Sequence, residues 1–345
     1  MDLSPLILKK RNATLWVAKE YFPLLLVVFL FSFKSSNKHS LISTSYSEPS
    51  SNKISNEKIP GILFRDDSSS CVIPFNKIGN LIIIKASVDS IEGNFILDTG
   101  SPHLVLNVVY FRNYPVTVSN DHQTSVSGVE SQVNSTQVRQ FSFGTLNYFW
   151  EKADLIDMGH IENSKGVKIL GLLGLSLIQQ CEIIIDYSKS LIYIHRIARK
   201  EAKTYKSEQL KDESSYSTIP LEILDQKLVA KTEMGGKKLQ FILDSGSETN
   251  ILDSRLSKKI FEHVEITGRL NIRGTGNTIV EALQGNLTGM TMGTHDMGSL
   301  PVLITNLEKT CFSVQSCING VLGLEFLPLQ KIGFNFVTRK MYLWK

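Results

Sequence analysis

The heptapeptide Phe95-Ile96-Leu97-Asp98-Thr99-Gly100-Ser101 returns as Phe241-Ile242-Leu243-Asp244-Ser245-Gly246-Ser247, and this duplication constrains the fold more than any other feature of the chain. It does not stand alone. Ile73-Pro74-Phe75 returns as Ile219-Pro220-Leu221 at the same offset of 146 residues (219 − 73 and 244 − 98). Gly171-Leu172-Leu173-Gly174-Leu175 returns as Gly320-Val321-Leu322-Gly323-Leu324 at an offset of 149 (320 − 171). Three elements in the same order at nearly the same spacing mean two similar domains, because solenoids repeat at only roughly 20 to 50 residues.

The rest of the chain divides around that repeat. Residues 1–34 contain the uncharged apolar run Tyr21 to Phe33, preceded by basic residues, and 35–70 is a polar linker rich in Ser, Asn and Lys. The first lobe is expected over 71–197, a charged connector over 198–215 and the second lobe over 216–345. The apolar run has 13 residues, short of the roughly 20 that cross a bilayer as a helix. It reads as a signal peptide or an uncleaved N-terminal anchor, and either reading exports the body of the protein to a periplasmic or extracellular space. The formal net charge of +4 is confined to the first 38 residues. The remainder is neutral and lacks the clustered Lys and Arg that phosphate binding needs, so nucleic acid is not an expected partner.

Four cysteines, Cys71, Cys181, Cys311 and Cys317, allow two disulfides in an exported chain, Cys71 with Cys181 and Cys311 with Cys317, or remain as buried thiols. No Cys-x-x-Cys pair occurs and the seven histidines are scattered, so neither a metal site nor another cofactor is expected. Short runs rich in Ile, Val and Phe, such as Leu81 to Val88, Gln240 to Leu243 and Glu182 to Ile185, predict strands. Helical periodicity is confined to stretches such as Leu252 to Phe261, where Asp253 reads as a helix N-cap. The expected fold is mainly β: two small, mostly antiparallel barrel lobes related by a pseudo-twofold, with few short helices.

Three apolar residues followed by Asp, Thr or Ser, Gly and Ser describe a strand that ends in a tight turn carrying a carboxylate. Gly100 and Gly246 are expected to give the bend its backbone freedom. Thr99 and Ser245 are expected to bond within the turn, and the hydroxyls of Ser101 and Ser247 to donate to the carboxylates. A pseudo-twofold brings Asp98 and Asp244 face to face. At about 4 Å and an effective dielectric near 20, two ionised carboxylates repel by about 4 kcal/mol, so the pair shares one proton. The ionised member can then take a proton from a water while the other donates to a carbonyl.

These paired motifs, each followed by an apolar-apolar-Gly element, resemble the two halves of a bilobal pepsin-like or retropepsin-like aspartic peptidase of the bacterial type. The resemblance covers roughly Ile73 to Lys345. It implies an aspartic endopeptidase with Asp98 and Asp244 as its catalytic pair, acting as a monomer on a peptide or protein substrate in extended conformation. Membrane contact is then made only through the N-terminal segment. It also implies that Leu172 to Gly174 and Val321 to Gly323 pack behind the active-site loops, and that a hairpin flap covers the cleft. The flap candidates are Gly128 and Gly274, each 30 residues beyond its Asp (128 − 98 and 274 − 244), although either segment can equally be an ordinary surface hairpin. No Tyr lies beside Gly128, unlike pepsin-like flaps. The alternative function is a catalytically silent module of the same fold that holds a peptide by strand addition.

Overall fold

The computed structural model describes residues 31–33, 61–62, 69–124, 130–273, 279–308, 318–323 and 331–344. Cys311, Cys317, Gly128 and Gly274 lie outside these residues. So does most of the apolar run Tyr21 to Phe33. Only its end, Phe31–Phe33, is described, as an edge strand antiparallel to Thr117–Thr124. Among the described residues no helix is long and apolar enough to cross a membrane.

The first lobe is a closed barrel of six strands. Glu130–Phe143, Leu146–Ile156, Leu104–Asn107, Gly171–Leu173, Ile91–Leu97 and Leu81–Val88 follow one another in that order, and Ser87 and Val88 pair back with Ser142 and Phe141 to close the ring. The second lobe repeats the order with Ile279–Leu287, Leu300–Thr305, Asn250–Asp253, Gly320–Leu322, Lys237–Leu243 and Lys227–Met234. Here the short strand Met290–Met292 takes the closing position, pairing with Glu233 and Met234, which the 146-residue offset aligns with Ser87 and Val88. Burial runs deep: Phe95, Phe141, Val138 and Ala153 of the first barrel are wholly inaccessible.

The barrels are not purely antiparallel. Each contains two parallel contacts, Leu104–Asn107 with Leu146–Ile156 and Gly171–Leu173 with Ile91–Leu97 in the first lobe, and their equivalents in the second. The short strand Gly171–Leu173 is therefore threaded between two others, and its glycine sits where backbones nearly touch. A Cβ on Gly171 would lie 2.1 Å from the Val105 carbonyl oxygen, and one on Gly320 would lie 2.3 Å from that of Ile251. That close approach explains why the glycine recurs in both repeats.

A third layer joins the lobes. Ser70–Pro74, Leu191–Arg196, Cys181–Asp186, Lys331–Asn335, Lys340–Trp344 and Tyr216–Leu224 form a continuous antiparallel sheet to which each lobe contributes three strands. Its central register pairs Ile184 with Gly333, residues related by the second repeat offset of 149 (333 − 184), so the pseudo-twofold passes between them.

Of the two alternatives for Cys71 and Cys181 the free thiol holds, and the two lie on different strands of this sheet. One expectation needs correction. Leu252 to Phe261 is not one helix: Asn250–Asp253 is a barrel strand and only Lys258–Phe261 is helical, with Ser257 at its N-cap position. Asp253 instead closes a turn, accepting from the backbone N–H of Arg255 at 3.1 Å and pairing with the Arg255 guanidinium at 2.7 Å. An Asp satisfied by its own turn and a neighbouring cation has no need of a helix N-terminus.

Candidate active site

The strands Ile91–Leu97 and Lys237–Leu243 run to the interface between the lobes and end at Asp98 and Asp244, which are 1% and 2% exposed. The threaded strands hold both turns from behind. Asp98 donates its backbone N–H to the Leu173 carbonyl at 3.0 Å, and Asp244 donates to that of Leu322 at the same distance. This is the role that the resemblance implied for the Leu172 to Gly174 and Val321 to Gly323 elements.

The Thr99 and Ser245 hydroxyls brace the turns across the lobe boundary. Thr99 Oγ1 donates to the Leu243 carbonyl at 2.9 Å and accepts from the Ser245 backbone N–H at 3.0 Å. Ser245 Oγ mirrors this, donating to the Leu97 carbonyl at 2.8 Å and accepting from the Thr99 N–H at 3.0 Å. The expectation that these hydroxyls bond inside their own turns is therefore corrected. Four buried polar groups find partners only in the opposite lobe, and this fixes how closely the lobes approach.

Ser101 and Ser247 also differ from expectation. Their hydroxyls donate to the backbone carbonyls of His103 at 3.1 Å and Thr249 at 2.8 Å, and so tighten the loops without touching the carboxylates. The carboxylates are held by backbone instead. Asp98 Oδ1 accepts from the N–H groups of Gly100 at 2.8 Å and Ser101 at 3.1 Å, and Asp244 Oδ1 accepts from Gly246 at 2.8 Å.

Gly100 and Gly246 are required for space and not for backbone freedom, since neither has positive φ. A Cβ on Gly100 would fall 2.3 Å from Asp244 Cγ, and one on Gly246 would fall 2.5 Å from Asp98 Cγ. Each turn thus presses its glycine against the carboxyl of the other, which brings the two acids together.

The remaining oxygens, Asp98 Oδ2 and Asp244 Oδ2, are buried with no donor among the described residues, and the crossed glycine contacts set the two carboxyls beside one another. Burial raises the proton affinity of both, and the Asp98 charge raises that of Asp244 further. The additional N–H from Ser101 favours negative charge on Asp98. Two acids with neighbouring unbonded oxygens in a dry site share a proton and titrate as a pair.

The repeat alone does not point to three further residues. Lys227 is 1% exposed, and its Nζ donates to the Gly100 carbonyl at 2.5 Å. Glu248, next to Ser247, binds Lys165 of the first lobe at 2.7 Å and accepts from the Asn80 backbone N–H at 3.1 Å. Lys227 and Glu248 show in the sequence only as departures from the repeat, where they face Leu81 and Pro102. On the far side of the turns a small apolar cavity separates them from the joining sheet, lined by Leu97, Thr99, Ile183, Leu243 and Phe334 among others.

A family model described as aspartyl protease matches residues 230–326, which include Asp244 and most of the second barrel. A search of the curated proteins finds no match to the sequence. Solved structures that are similar include an aspartic proteinase from Irpex lacteus, at 11% identity and a TM-score of 0.46, covering 80% of this chain and 97% of that one. Others are basic 7S globulin from soybean (8% identity, TM-score 0.41, 80% and 94% covered) and conglutin gamma from lupine seeds (10%, 0.43, 80% and 95%). With two barrels, a joining sheet and paired acidic turns, and with that match over the second lobe, the chain has an aspartic-protease-like fold.

Proposed function

We propose that this protein is an aspartic endopeptidase that hydrolyses peptide bonds by a water activated between Asp98 and Asp244. One observation carries the reading: each carboxyl is pressed against the glycine of the opposite turn, with one oxygen held by backbone and the other without a donor among the described residues. In this reading the singly ionised pair takes a proton from the water as it attacks the scissile carbonyl, and the shared proton passes to the carbonyl oxygen of the tetrahedral intermediate. The proton gained from water then goes to the leaving amine as the C–N bond breaks, and a hydroxyl proton of the intermediate returns to the pair as the carboxyl product forms, which restores the starting state. The substrate is an extended peptide or protein segment. A monomer suffices, because one chain supplies both turns. We place the activity outside the cytoplasm on the strength of the N-terminal apolar run and its basic flank.

The test is Asp98→Asn and Asp244→Asn assayed on a peptide library across acidic to neutral pH. Each replacement should reduce hydrolysis by at least about 10³-fold, the scale of losing a general acid or base together with its partner's function. Circular dichroism should show the fold retained. Full residual activity in either variant would refute the shared-water mechanism. Peptide binding without any new termini in the unaltered protein would support the silent binding module instead.

A further inference from the structure

We propose that Lys227 is a positioning residue of the acidic pair, a sealed ammonium that keeps the two buried carboxyls in the singly ionised state. The functional consequence rests on the peptidase reading above, whereas the electrostatic claim does not.

The geometry singles this residue out. A lysine is almost never fully buried without a partner, yet Lys227 is 1% exposed at the start of the strand Lys227–Met234. Its Nζ donates to the Gly100 carbonyl, in the same turn whose N–H groups hold Asp98 Oδ1. Packing does not demand a lysine here. The equivalent position of the first lobe is Leu81, 2% exposed, at the start of the equivalent strand. One lobe fills the place with a leucine and the other with a charge.

The charge acts on the pair. Asp244 and Asp98 both act on Lys227, and each Asp is acted on by the other and by Lys227. Removing water from two carboxyls favours the doubly protonated, uncharged pair, which has no base to offer a water molecule. One buried cation opposes this. It stabilises a single negative charge in the same dry space, and the three groups together become neutral. Burial in turn draws Lys227 down to about 8, with the two carboxylates opposing that fall. The ammonium is therefore present through acidic and neutral pH, and the singly ionised pair extends to lower pH than it would beside a leucine.

The experiment uses the full chain and its Lys227→Met, Lys227→Leu and Lys227→Arg variants, with carbon-13 NMR of the Asp side chains assigned through Asp98→Asn. Lys227→Met should move ionisation of the pair upward by at least about one pH unit, the low end of the shift expected from one adjacent charge. The acid limb of the kcat profile should move by the same amount, and Arg should restore part of both. Leu carries the same readout if Met fails to fold. In the unaltered protein, the Lys227 ammonium must titrate below ordinary lysines and respond to the carboxyls. A carboxyl titration that stays within 0.3 of a unit in folded Met or Leu variants, or a Lys227 signal indifferent to the pair, would overturn the proposal. Absence of hydrolysis in the unaltered protein would remove the peptidase reading and leave the NMR shift to decide the role of Lys227.

Discussion

The two lobes have the same strand order and matching acidic turns, yet three of the aligned positions that differ exchange one chemistry for another: Leu81 against Lys227, Pro102 against Glu248, and Asn107 against Asp253. Where the chemistry or the packing needs two of something, the lobes agree, as at the acids, the glycines that press on them and the crossed hydroxyls. Where one is enough, they diverge. One ammonium serves both carboxyls, and a second would overcharge the site. One pair, Lys165 with Glu248, ties the lobes on one flank, and Pro102 has no side-chain acceptor to repeat it on the other.

The third difference shows the same turn stabilised by two chemistries. Asn107 donates through Nδ2 to the Ile169 carbonyl at 2.9 Å and accepts from Val109 N–H at 3.3 Å. Asp253 has no proton to donate. It accepts from the backbone N–H groups of Arg255 and Leu307, and the Arg255 guanidinium neutralises it. Backbone bonds that the side chains do not affect are preserved: Asn107 N–H reaches the Leu170 carbonyl at 2.8 Å, and Asp253 N–H reaches that of Asn319 at 2.9 Å.

The strongest way to break the symmetry is at its tightest contact. Gly100→Ala and Gly246→Ala should each destabilise by about 3 kcal/mol or more, the upper end for forcing an atom into a filled site, because the new Cβ has only the opposing acid to displace. Urea denaturation of both variants checks this. Tolerance of one and not the other would show that the turns are not equivalent. The crossed hydroxyls come next. Thr99→Ala and Ser245→Ala should each lose about 2 kcal/mol, since each leaves buried backbone groups in the other lobe unpaired. The double variant should lose less than the sum, because the two hydroxyls share one network. Thr99→Ser should stay within about 0.5 kcal/mol of the unaltered protein, since it keeps the hydroxyl while losing only a methyl. The smallest effect is expected at the one-sided tie. Lys165→Met should lose about 1 kcal/mol, between the values for exposed and buried pairs, because Glu248 keeps its bond from Asn80. That loss should shrink in high salt, whereas the losses at Thr99 and Ser245 should not.

Much of this scaffold could be read before any coordinates. The strand expected at Leu81 to Val88 has those bounds, and the expected runs at Gln240 to Leu243 and Glu182 to Ile185 fall inside strands Lys237–Leu243 and Cys181–Asp186. β-branched and apolar density reports burial on a sheet, and that holds whatever the partner strand. The misreadings concern polar atoms. Asp253 has an N-cap pattern in sequence, but its oxygens are claimed by Arg255 and by Leu307, which is 54 residues away (307 − 253). The hydroxyls of Ser101 and Ser247 had several acceptors within local reach, and only the folded loop selects His103 and Thr249. Thr99 and Ser245 likewise look like turn residues until the second lobe arrives.

The sequence by itself determined the duplication, the strand-rich lobes and the identity of the two acids, because repetition and apolar runs are properties of the chain read in order. Tertiary structure alone decided that each glycine touches the opposite acid, that the hydroxyls brace across the boundary, and that an ammonium lies sealed beside the pair. Those contacts join residues more than a hundred positions apart. Their partners are set by how two barrels dock, and a local pattern carries no record of docking.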